Sequence, residues 1–188
     1  MRLQRFAVIG AAVLSMSVSR VVTAPNATTA PMMLDLMKDA DGVAQKLIAL
    51  AKATPADKYS WRPSAGVRSI GEVFLHVASD NYLLPSMAGT AIPTSTKLDA
   101  KDFKTFTTYE KQTMTPAQVV AAMETSFAHL KTAMTKTSAA DLSAQVDMFG
   151  QKSSKQALWI GTTTHLHEHL GQAIAYARTN GIVPPWSK

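Results

Sequence analysis

The chain of 188 residues has five histidines and no cysteine, which leaves histidine as the soft ligand for any metal site. The missing cysteine also excludes thiolate nucleophiles, disulfides, cysteine-type zinc sites and iron–sulfur clusters. Two histidines stand four residues apart in Thr164-His165-Leu166-His167-Glu168-His169-Leu170-Gly171-Gln172. On a helix turning about 100° per residue, His165 and His169 lie one turn apart on the same side. Both imidazoles can then reach one point, as i, i+4 ligand pairs do. His167 lies about 200° from His165 and is expected at the surface. The plainer alternative is a pair of exposed histidines on a surface helix.

A metal site needs more than two protein ligands. His76 is the best third candidate, because it is a lone imidazole among the apolar residues of Val73-Phe74-Leu75-His76-Val77-Ala78. A core histidine bonded to a backbone carbonyl is the bland account of it. His129 falls off the apolar stripe of its helix and is expected to be exposed. His165-x-x-Glu168-His169 matches the H-x-x-E-H pattern of inverted zinc peptidases, but no Asp or Glu follows Glu168 to complete it. Glu168, about 60° from His165, is a candidate general base or a solvent-facing acid. Asp80 (one turn after His76) and Gln172 and Tyr176 (on the seam of His165 and His169) are candidates to hold the outer ring nitrogens. Arg62 and Arg68 could clamp an anionic substrate or pin loops to the backbone.

These residues need helices to position them. Apolar residues at helical spacing predict a first helix over 32–53, closed by Pro55. After a turn-rich stretch over 55–68, Ser69-Ile70-Gly71-Glu72 reads as a capping box opening a second helix that ends near Pro85 or Gly89. Residues 90–114 form a long connection without a clear period. Thr115-Pro116-Ala117-Gln118 is a second capping box, opening a third helix that reaches about Thr137. An irregular stretch follows, in which Val146, Met148 and Phe149 are expected to tuck against the core. The last helix starts at Ser153 or Ser154 and stops at Asn180-Gly181, with Pro184-Pro185 beyond. It carries an apolar seam (Trp159, Thr163, Leu166, Leu170, Ala173, Ala177) beside a polar one (Leu158, Thr162, His165, His169, Gln172, Tyr176). A polar seam next to a packing seam favours a lined cavity. The expected fold is an all-α four-helix bundle over 32–188, with a long connection between helices 2 and 3.

The start of the chain reads as a targeting device. Met1-Arg2-Leu3-Gln4-Arg5 is basic, Phe6 to Ser19 is an apolar run of signal-peptide length, and Val22-Thr23-Ala24 offers a cleavage site. Residues 1–24 are thus expected to be a signal peptide and 25–31 a flexible leader, which makes the protein exported, periplasmic or secreted. Loss of Arg2, Arg5 and Arg20 halves the formal charge of +6. The remaining Lys and Arg are scattered, which argues against nucleic acid as a partner. No later run is long enough to span a membrane.

The chain resembles the DinB-like superfamily of DNA-damage-inducible and thiol-transferase-type bundles. The resemblance runs over about residues 32–186. It is carried by Tyr59-Ser60-Trp61-Arg62-Pro63, by Gly66 to Val73 leading into His76, and by His165 to Gln172 with Tyr176, Arg178, Asn180-Gly181 and Pro184-Pro185. It implies a divalent metal, zinc or nickel, on His76, His165 and His169. It also implies chemistry with a low-molecular-weight thiol as cosubstrate, and it admits a homodimer. Three neutral imidazoles leave a position open for water or substrate, so metal-assisted hydrolysis of a small molecule is the alternative chemistry. Reduced thiol cofactors are mainly cytosolic, so export weighs against the thiol route. A non-catalytic exported metal- or ligand-binding bundle is the reading of another class.

Overall fold

Pro31 opens the first long helix of the computed structural model, which describes residues 29–187. The expected signal peptide and residues 25–28 lie outside the described residues. Within the rest of the expected leader, Thr29 pairs as an antiparallel bridge with Ser138 and donates to the Thr135 carbonyl at 3.0 Å. The described residues form five α-helices: α1 Pro31–Ala53, α2 Ile70–Met87, α3 Lys104–Glu110, α4 Pro116–Thr135 and α5 Lys155–Thr179. A hairpin of β1 Gln145–Met148 and β2 Gln151–Ser154 precedes α5. No helix among the described residues is long and apolar enough to cross a membrane.

Both capping boxes form. The Ser69 hydroxyl accepts from the Glu72 amide at 3.2 Å while the Glu72 carboxylate accepts from the Ser69 amide at 2.8 Å, and Thr115 and Gln118 do the same for α4. Such caps satisfy two orphan amides of a first turn and fix where the helix starts. At the far end of α5, Gly181 takes a positive φ of 72°. The amides of Gly181 and Ile182 return to the carbonyls of Arg178 and Ala177 at 3.0 and 2.9 Å. That crossed pair closes the helix, and the left-handed residue it requires is cheapest as glycine.

The long helices touch in a closed ring, α1 against α4 and α5, and α2 against the same two. The interior holds Met33, Leu47, Leu50, Phe74, Met123, Leu130, Trp159 and Leu166, all fully enclosed. The Trp159 indole donates to the Thr137 hydroxyl at 3.1 Å, so the largest core ring leaves no buried donor unpaired. Every member of the predicted apolar seam of α5 is buried.

The structure corrects the expected fold in three places. The connection over 90–114 contains a fifth helix, the seven-residue α3. The stretch before α5 contains the hairpin, whose register pairs Met148 with Gln151 and leaves Phe149-Gly150 as a two-residue turn. Both turn residues have positive φ, 57° and 84°, as a right-twisted hairpin of this length requires. Val146 and Met148 are half-buried as expected, but Phe149 is 60% exposed because the turn holds it outward, beside Phe103. Third, His129 is half-buried rather than exposed. It packs against the Tyr82 ring at 5.0 Å and buries an Nε2 without a partner.

Candidate metal centre

His76 projects from the middle of α2, and His165 and His169 project from one side of α5. The packing of α2 on α5 brings the three rings face to edge. Ring centroids lie 5.4 Å (His76–His165), 4.5 Å (His76–His169) and 4.4 Å (His165–His169) apart. One nitrogen from each falls within 4.8 Å of the other two. All three are half-buried, which leaves the cluster open to solvent on one side.

Each ring is aimed by an oxygen that can only accept. Glu110 Oε1, at the end of α3, accepts the hydrogen bond of His76 Nδ1 at 2.7 Å. Gln172 Oε1 accepts that of His169 Nδ1 at 2.9 Å, and the Gln172 amide donates to the Tyr176 hydroxyl at 3.1 Å. Trp61 stacks its edge against Tyr176 at 5.4 Å, so the 59–63 turn locks the end of this chain of contacts. His76 and His169 are thereby fixed as tautomers with Nε2 free. Asp80 Oδ2 stands 2.7 Å from His165 Nε2 and 3.3 Å from His76 Nε2, facing both nitrogens at once.

The electrostatics follow from burial and these contacts. Burial first, and then the neighbouring His76 and His165, push His169 down to about 4, against the opposing pull of Gln172 and Asp80. His169 is therefore neutral at pH 7, the state in which an imidazole can bind a metal. Burial pushes the Glu110 carboxyl up, but hydrogen bonds from His76 and Arg68 outweigh it and leave the group below its ordinary value.

A family model described as the DinB superfamily matches residues 40–173, well over half of the chain. The chain belongs to that superfamily. Two solved structures share the DinB fold. A DinB-like protein from Bacillus cereus ATCC 10987 is 14% identical with a TM-score of 0.66, over 80% of this chain and 93% of its own. A DinB-like protein from Bacillus subtilis is 19% identical with a TM-score of 0.62, over 82% and 97% respectively. A comparison with curated proteins gave no match.

Within this DinB chain the structure brings His76, His165, His169, Asp80, Gln172 and Tyr176 together. It leaves Glu168 outside: the side chain is 75% exposed and its carboxylate is 3.8 Å from His165 Nδ1, too far for a hydrogen bond. His167 is exposed and meets Asp39 of α1 at 2.9 Å. Arg62 is already engaged by Glu72 at 2.9 Å and by the Val67 carbonyl at 2.7 Å. Arg68 forks onto Glu110 at 2.7 and 3.2 Å. Arg62 thus pins a loop through a backbone carbonyl, whereas Arg68 holds a side chain, Glu110. Glu110 is the site residue that the sequence did not reveal, since the only signal was an acid near the end of the aperiodic stretch 90–114.

Proposed function

We propose that this protein is a metal-dependent transferase or hydrolase acting on a small molecule, with a divalent ion on His76, His165 and His169. The observation that carries the reading is the aim of the rings. Two outer nitrogens are occupied by Glu110 and Gln172, and the inner nitrogens of His76 and His165 converge on one Asp80 oxygen. A bare imidazole nitrogen facing a carboxylate oxygen is repulsive, so this point is satisfied by a proton on a ring nitrogen or by a metal in its place. The donor set of three neutral nitrogens with one position left over suits zinc or nickel, in the open rather than the closed arrangement. Such an ion would supply Lewis acidity, bringing the pKa of water or of a thiol cosubstrate toward neutrality.

The chain's own groups do the rest. Glu110 and Gln172 hold two rings in the productive tautomer, which raises their basicity as ligands. Asp80 is the carboxylate positioned to accept a proton at the cluster, a role its neighbour Glu168 is too exposed and too distant to fill. The signal-like start of the chain supports an exported protein, and with it hydrolysis over thiol transfer. The test is metal content of the purified protein by mass spectrometry, with thiol-transfer and ester-hydrolysis assays on the loaded form. The expected result is one divalent ion per chain, lost in the His76→Ala/His165→Ala/His169→Ala variant, and turnover of one substrate class. Absence of stoichiometric metal in the wild type, or its retention in the triple variant, would overturn the site. Metal without turnover in either assay would replace the enzyme by an exported metal-binding module.

A further inference from the structure

Tyr109 directly precedes Glu110 on α3, yet it serves a different part of the surface. Where Glu110 meets His76, Tyr109 lines a cleft of about 770 Å³ bounded by α2, residues 95–105, α3 and the first half of α4. None of the three clustered histidines lines it. Its size falls within the range of small-molecule sites.

Two side chains mark it as more than a groove. Tyr82 and Tyr109 are 4% and 9% exposed, and both line the cleft. Neither phenol hydroxyl has a hydrogen-bond partner among the described residues, whereas the equally buried Tyr59 donates to the Ala51 carbonyl at 2.8 Å. A buried hydroxyl left unpaired costs free energy, so native proteins pair nearly all of them. Among the described residues the sole sealed and unpaired side-chain atom is His129 Nε2, so both phenol oxygens reach solvent, and both residues line the cleft. Burial first, and then Tyr82, push Tyr109 up to about 12, and burial raises Tyr82 as well. Both are therefore protonated donors at neutral pH.

The surroundings define what would accept from them. Exposed Lys97 and Lys104 stand on the rim against the single acid Asp102, so the mouth is net positive. Met114 and Ala122 form an apolar wall. Two phenol donors lining one cleft, a cationic rim and an apolar wall match a carboxylate joined to a hydrocarbon body. We propose that this cleft binds a small organic monoacid, its carboxylate on the Tyr82 and Tyr109 hydroxyls and its apolar part against Met114 and Ala122. The site does not depend on the metal reading, since it shares no side chain with the histidine cluster.

Calorimetric titration of the purified full chain with benzoate and octanoate, each beside its neutral alcohol, tests the assignment. The expected result is saturable binding of at least one acid, about tenfold weaker in Tyr82→Phe and in Tyr109→Phe, with the alcohol binding at least tenfold more weakly. Metal content should be the same in both variants. Lys97→Glu/Lys104→Glu, on the exposed rim where folding is not at stake, should weaken the acid and leave the alcohol unchanged. No saturable binding of either acid, equal binding of acid and alcohol, or full affinity in the two Phe variants would each overturn the proposal.

Discussion

Helix α2 carries two polar regions that solve opposite problems. Toward α5, His76 and Asp80 belong to a set in which Glu110, Gln172, Tyr176 and Arg68 leave hardly a donor idle. Toward α4 and the 95–105 segment, Tyr82 presents a hydroxyl for which the described residues offer no acceptor. In the first region Glu110 and Gln172 hold the His76 and His169 rings from behind, so their Nε2 atoms are fixed in place. The second is incomplete. A saturated set of contacts marks a site whose geometry is set in advance, and an unsatisfied pair of donors marks one that a ligand completes.

The sharpest way to break this contrast is to loosen the saturated side. Glu110→Gln keeps the shape of the side chain but removes the charge that orients His76 and balances Arg68. Metal affinity should fall by about 10- to 100-fold, as for other groups that hold a ligating histidine from behind, measured by competition with a chromogenic chelator. Unchanged affinity would show that His76 needs no holder.

Acid should act on the same side. His169 has a folded pKa of about 4, below the ordinary value of a histidine, so between the two the unfolded chain takes up a proton that the folded chain refuses. Metal-free protein should therefore lose stability as pH falls from about 6.5 toward 4. Glu110 adds a loss of its own below the ordinary carboxylate range, because its folded pKa is depressed. Thermal melts of chelator-treated protein across this range check the sign, and His169→Ala should flatten the upper part of the curve.

The smallest effect belongs to the unsatisfied side. Tyr82→Phe removes no hydrogen bond among the described residues and should change stability by less than about 0.5 kcal/mol. Tyr59→Phe, matched in burial, deletes the bond to Ala51 and should cost about 1 kcal/mol. Denaturant titrations of the pair measure the difference directly, and equal losses would mean that Tyr82 has a partner after all.

The legibility of the two regions also differs. Regular long helices write themselves into sequence through caps and periodicity, which is why both capping boxes, the Asn180-Gly181 stop and the two seams of α5 read correctly. The juxtaposition of His76 with His165 and His169 needed only the assumption that α2 packs on α5. What escaped was short. In α3, Lys104-Thr105-Phe106-Thr107-Thr108-Tyr109-Glu110, three threonines lower helix propensity, and seven residues are too few to establish a period. With α3 hidden, both Glu110 and the tyrosine cleft were hidden. The hairpin escaped because four-residue strands show barely one alternation and Phe149-Gly150 is not a standard turn pair. His129 misled because side position on a helix says nothing about a partner ring arriving from α2.

The brevity of α3 has one more consequence. A helix of seven residues is not stable alone in water, since nucleation is costly and too few bonds follow it. Its shape is lent by Phe106, Tyr109 and Glu110, the three residues it buries. Opening of α3 and release of His76 by Glu110 are then a single event. The exchange rate of the α3 amides with solvent becomes a clock for how often the histidine cluster comes undone, readable without any substrate.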